Sequence, residues 1–255
     1  MKKLHFIKAM VAIAAVAVFP MGQTALAQEK QLVVGTDIEA KPFDFSENGK
    51  YVGFDQDLFA EIAKELGRTY TVRAMDFGAL IPALQTSNID VGLSCIFITD
   101  ARKKVVDFSD PYYNSAIGIL VRADEKEIKS AADLNGKPVA VMTGAAGTNW
   151  VRSNVKDSQP TLFPQIANMF LELQTGRVRA LVHDYPYFAY YTANEGKGKA
   201  RLLAEPVGDS IPCGIAYPKG SPLVKPTNDA IKKIRADGRY NTIYQKWFGK
   251  LPEKN

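Results

Sequence analysis

Arg102 stands in the stretch "GLSCIFITDARKKVVDFSDPYY", just past a run apolar enough to be a buried strand. A guanidinium delivered to the end of a core strand is a planar fork that suits a carboxylate. Three other apparent strand ends also carry groups that bind charge. Asp37 ends "LVVGTD" and His183-Asp184 ends "LVHD". The Gly-rich turn in "VAVMTGAAGT" would present free backbone N–H groups at a helix N-terminus, where anions bind readily. A carboxylate facing a guanidinium across a cleft suits an ammonium. Together the set reads as a receptor for the zwitterion of an α-amino acid, with Phe77 as an apolar wall. Singly, each has a plainer explanation. Arg102 could be solvated beside Lys103 and Lys104, Asp184 could cap the helix after it, and the glycines could serve a turn. Four such groups at four strand ends favour a site.

The elements that must position them alternate. The spacing predicts strands over 31–37, 70–77 and 89–98. Helices are predicted over 55–67 and 78–88, the first capped by Asp55 and stopped by Gly67. That β-α-β-α-β order argues for a mostly parallel sheet with helices on both faces. The pattern restarts at a Ser130/Asp133 capping box. It runs on through strands at 137–142 and 178–184 and helices at 143–154, 167–176 and 185–196. A strand over 213–221 and two helices within 228–249, split at Gly238, close the chain, the first starting near Pro226. Two α/β units with a returning C-terminal segment make two lobes and two crossings. Ligands in such sheets bind beyond the carboxyl ends of the strands.

Composition bounds the rest. The chain has 255 residues and a formal charge of +5. Its N-terminus has a basic start, an apolar run over 9–19 and Ala25-Leu26-Ala27 before Gln28. This reads as a secretory signal peptide, 1–27, cleaved after Ala27, with a periplasmic product. Without its three lysines the charge falls to about +2, which gives no case for nucleic acid. Cys95 and Cys213 could pair in an oxidising compartment, but they share no spacing motif, so free thiols are the expectation. With His5 in the leader and His183 the other histidine, no metal and no cofactor is expected.

The stretches "LVVGTD", "KYVGFDQDLFAEIAKEL", "MDFGALIPALQTSNID", "ITDARKKVVDFSDPYY", "VHDYP", "GIAYPKGS" and "IYQKWFG" resemble, in register, the bacterial extracellular solute-binding proteins of family 3, and in particular glutamine-binding proteins. The resemblance implies an α/β, two-lobed periplasmic binding protein fold (type II) with two hinge strands. Lobe 1 would be 28–113 plus 209–255 and lobe 2 would be 114–208, with hinges near 112–116 and 208–212. It also implies a monomer that hands an amino acid to the membrane permease of an ABC importer. Arg102 matches the carboxylate-binding arginine and Asp184 the ammonium-binding aspartate; His183, Asp37 and Phe77 match as well. Other positions depart from the pattern. Ala40 replaces an aromatic wall, Cys95 a glycine, Phe97 a hydroxyl residue and Met142 a lysine. Contacts made by the backbone at Cys95 and near Ala146 would survive such changes. The added apolar bulk implies altered side-chain specificity, a side chain lodged elsewhere as Phe97 fills space left at Ala40, or weaker binding.

Two other classes stay open. A lyase on the same fold, similar to cyclohexadienyl dehydratase, would need a general acid, for which His183, Asp37 and Asp184 are the candidates. A soluble signalling adaptor is the other.

Overall fold

The structure, a computed structural model, describes residues 30–252. The expected signal peptide and its cleavage point lie outside the described residues. The strands are β1 (Leu32–Thr36), β2 (Glu39–Ala40), β3 (Asp44–Glu47), β4 (Lys50–Val52), β5 (Tyr70–Ala74), β6 (Val91–Phe97), β7 (Val106–Phe108), β8 (Tyr113–Arg122), β9 (Val139–Met142), β10 (Thr161–Phe163), β11 (Ala180–Asp184), β12 (Ala200–Leu202) and β13 (Val207–Pro218). The α-helices are α1 (Phe54–Glu65), α2 (Phe77–Gln85), α3 (Asp100–Lys103), α4 (Ala146–Asn154), α5 (Ile166–Gln174), α6 (Tyr185–Ala193), α7 (Val224–Ala236) and α8 (Arg239–Phe248).

One sheet runs through the fold in the order β10-β9-β11-β8-β13-β6-β1-β5, with β12 on β8 and β7 on β13. β5, β1 and β6 are parallel, and so are β10, β9 and β11. Parallel neighbours need crossover helices, which cover both faces, so such strands are apolar throughout. β6, β9 and β11 are accordingly buried along their whole lengths. Between the two parallel blocks lie the long antiparallel strands β8 and β13. The fold is thus α/β with two lobes, two connecting strands and a cleft between.

Several local expectations shift, each for a physical reason. α1 starts after Gly53, whose φ of 138° a side chain would strain, so Asp55 is an interior residue and not the cap. Asp55 is fully buried because its carboxylate accepts from Cys95 N at 2.7 Å and Tyr112 Oη at 2.8 Å. β5 ends at Ala74, and Phe77 opens α2 instead of ending a strand. β13 begins at Val207, six residues early, because its first half pairs with β8. Pro226 lies inside the first turn of α7, where a missing N–H costs nothing. The Ser130/Asp133 capping box forms as expected, on a short 3₁₀ turn.

The free-thiol expectation is overturned. Cys95 and Cys213 form a disulfide, with Cα atoms 4.9 Å apart across the β6–β13 pair. Sequence separation conceals this pairing, which depends on β13 returning beside β6.

Candidate ligand-binding cleft

Three of the charged or aromatic residues singled out in the sequence come from the half built on β1, β5 and β6. Asp37 follows β1 and is 6% exposed. Its N–H donates to Ser94 Oγ at 3.3 Å, and its Oδ1 accepts from Glu39 N at 3.0 Å. Burial pushes its carboxyl up to about 6, the backbone hydrogen bond from Glu39 opposing this and the charges of Glu39 and Asp76 adding to it. Arg102 lies in α3, just past β6, where Thr99 caps the turn by accepting from Arg102 N. Its Nη1 donates to Phe97 O at 2.8 Å and its Nη2 to Gly144 O at 2.9 Å. The guanidinium stacks over Phe77, 5.4 Å from the ring centre. Phe77 is therefore a platform for the arginine.

The other half supplies His183 and Asp184 at the end of β11, 3% and 6% exposed. Burial pushes Asp184 up to about 8, and the charge of Arg102 offsets part of that. The same burial pushes His183 down to about 4, so its ring is neutral and its 3.5 Å approach to Asp184 is a contact and not an ion pair. Both ring nitrogens lack a hydrogen-bond partner. Met142 ends β9, with its carbonyl accepting from Thr148 Oγ1 at 2.7 Å and Ala145 N at 3.1 Å. Ala146 opens α4, as the Gly-rich turn predicts.

The halves meet at these residues. Arg102 reaches from one half to Gly144 on the other. A Cβ added to Gly144, at φ 77°, would lie 3.0 Å from Gly78 Cα, so this approach depends on glycine. Lys41 Nζ pairs with Glu195 Oε1 at 2.6 Å, and Phe43 stacks on Tyr187 with ring centres 5.3 Å apart. The cleft is closed around Arg102 and Asp184.

The remaining sequence candidates are placed less directly. Ala40 is buried in β2, and Phe97 is buried in the apolar cluster and offers its carbonyl to Arg102. Cys95 is taken up in the disulfide. Sequence reasoning missed Tyr187, which tilts against His183 with ring centres 4.8 Å apart. Burial and the charges of Asp184, Asp44, Asp55 and Asp37 hold its phenol protonated. The available signal was its position one helical turn after Asp184.

A second acid pair lies behind the cleft. Asp44 and Asp55 are fully buried, and Asp44 Oδ1 accepts from Gln56 Nε2 at 2.7 Å. Asp44 Oδ2 and Asp55 Oδ1 are buried without a hydrogen-bond partner, and one proton shared between the two carboxyls would satisfy both. Asp44, its pKa raised first by burial and then by Asp55, keeps the shared proton. A carboxyl raised in the folded state stabilises fully below its unfolded pKa and loses that contribution as pH climbs through the folded value. Asp44→Asn keeps a neutral donor toward Asp55. We expect it to match the natural protein near pH 4 and to gain on the order of 1 kcal/mol at pH 8. Urea unfolding at both pH values checks this, and a variant that loses stability at pH 8 would refute the shared proton.

The model of the bacterial extracellular solute-binding proteins, family 3, matches residues 32–250. The L-cystine-binding protein of Escherichia coli K12 is 32% identical over 224 residues, covering 86% of this chain and 82% of that protein. A glutamine-binding protein of an ABC transporter in Bacillus subtilis is 32% identical over 235 residues, covering 89% and 85%. Among solved structures, the arginine-, lysine-, histidine-binding protein of Geobacillus stearothermophilus superposes with a TM-score of 0.84 at 34% identity, covering 88% of this chain and 97% of that one.

Proposed function

Because the chain belongs to family 3 of the bacterial extracellular solute-binding proteins, we propose that it binds a free α-amino acid and delivers it to the membrane permease of an ABC importer. The observation that carries this is Arg102 reaching across the cleft to Gly144 O, with its charge acting on the buried Asp184 of the other half. Arg102 takes the α-carboxylate and Asp184 the α-ammonium. A ligand bridging both groups favours the closed form, which the permease recognises. The lobes are 28–113 with 209–255, and 114–208. The register shift of β13 against β8 between Val207 and Ile211 supports a hinge near 208–212, with its partner near 112–116. The protein acts as an exported monomer, and the buried disulfide suits an oxidising compartment.

The side chain of the ligand is set by the rest of the cleft. The relatives' ligands range over cystine, glutamine and basic amino acids. Asp37, mostly ionised at neutral pH, accepts N–H donors. Polar side chains carrying an amide or a cation fit best.

Titration gives a test. An ammonium beside Asp184 lowers its pKa from about 8, so the complex holds fewer protons than the free protein. Affinity is then expected to rise from pH 6 toward 8, by at most about tenfold per unit, with proton release on binding. His183 does not titrate in that range. Calorimetry at pH 6, 7 and 8 in buffers of different ionisation heat measures both. Affinity that falls with pH would count against Asp184 as the ammonium partner.

One observation favours a second reading. An acid held neutral at pH 7 by burial is what a lyase needs as a proton donor, and Asp184 has that property. Incubation with prephenate or arogenate decides it: release of aromatic product supports a lyase, and its absence leaves binding alone.

A further inference from the structure

The stretch 94–97 ties together both charged groups of the β1–β6 half. Ser94 Oγ accepts from Asp37 N, and Phe97 O accepts from Arg102 Nη1. Between them, Cys95 has φ 39°, in the left-handed region that an L-residue enters only under strain. The sheet does not hold it there. Gly214 pairs with Ile96 and Ala216 with Gly92, so three residues of β6 face the single residue Ile215. Such a bulge leaves its extra residues outside the ladder. Ile215 gives them nothing, because its N–H goes to Ser109 Oγ at 3.0 Å and its carbonyl accepts from Ser109 N at 2.9 Å. Two side-chain bonds reach Cys95: its N–H donates to Asp55 Oδ2, and its sulfur joins Cys213 on β13.

The geometry points to the Cys95–Cys213 disulfide as a positioning element of the binding cleft, holding the strained bulge of β6 so that Asp37 and Arg102 keep their places. Its role is more than a global staple, because the crosslink sits at the one left-handed residue between the two tethers. A glycine at 95 would take this φ without strain and need no crosslink. The inference rests on the reading of the cleft as an amino-acid site.

Two variants separate positioning from stapling. Cys213→Ala removes the crosslink and leaves an L-residue at 95. Cys95→Gly with Cys213→Ala removes the same crosslink but relieves the strain. Both are compared with the natural protein by calorimetric titration with L-glutamine, L-arginine and L-cystine, and by amide hydrogen exchange at Asp37 and Cys95. Position 95 is read on the amide of whichever residue stands there. The expected result is about a tenfold loss of affinity and at least tenfold faster exchange in Cys213→Ala, with both restored to within about threefold by the added glycine. Cys213→Ala behaving as the natural protein would overturn the inference, and so would equal losses in both variants. If the natural protein binds none of the three amino acids, the functional reading passes to the wider set of amino acids, and exchange at the two amides still decides the role of the disulfide.

Discussion

Arg102→Ala is expected to weaken amino-acid binding by roughly 2–5 kcal/mol, a loss of about thirtyfold to several thousandfold, as for removal of one partner of a buried charge pair. The reason is geometric. The guanidinium is fixed before any ligand arrives by two groups of its own half, Phe97 O and the face of Phe77. A group fixed beforehand loses little entropy on binding. Its removal also takes away the positive charge that partly offsets the burial of Asp184. Asp184 would hold its proton to higher pH, so the loss reaches the ammonium side too. Arg102→Lys keeps a charge but not the fork, and should recover only part of the affinity. Calorimetric titration of both variants measures this, with urea unfolding to show that each is folded. Affinity within threefold of the natural protein in Arg102→Ala would remove Arg102 from the site.

The largest effect on stability is expected at the disulfide. It closes a loop of 118 residues. The chain-entropy account assigns such a crosslink about 5 kcal/mol, and losses of native disulfides typically fall at about 2–5 kcal/mol. The bond joins β6 to β13, the strand that runs on to pair with β8. Urea unfolding of Cys213→Ala against the oxidised natural protein is the measurement. A midpoint lowered by the equivalent of about 2 kcal/mol or more is expected. A difference under about 0.5 kcal/mol, the range of a neutral surface change, would show that the crosslink does not restrain the unfolded chain.

Much of this architecture was legible in the residues. Burial on both faces makes β6, β9 and β11 continuous apolar runs, and the helical period of "DQDLFAEIAKELG" marks α1. Strand ends then gave Asp37, Arg102 and Asp184, because the polar residue that stops a buried strand is conspicuous. What escaped depends on contacts between distant segments. Asp55 looks like a cap, an acid ahead of an apolar period, yet its partners Asp44, Cys95 and Tyr112 come from three other places in the chain. The disulfide follows from the β6–β13 register, which no local pattern encodes. β8 and the first half of β13 entered only through the resemblance, as hinge strands, because the exposed and half-buried residues at their hinge ends show no strand period. Phe97, taken as an intruder in the pocket, is buried in the apolar cluster, and the group it offers Arg102 is its carbonyl.

The most direct test of the central claim is thermal unfolding of the protein from Gln28 onward, refolded after denaturation to strip bound ligand, against the twenty common L-amino acids and L-cystine. A ligand present at about 100 times its dissociation constant adds about 2.7 kcal/mol of stability. The account predicts a clear upward shift with one or a few amino acids bearing polar side chains, and none with the methyl esters of the same compounds, which lack the carboxylate that Arg102 takes. No shift with any free amino acid, or an equal shift with the esters, would contradict it.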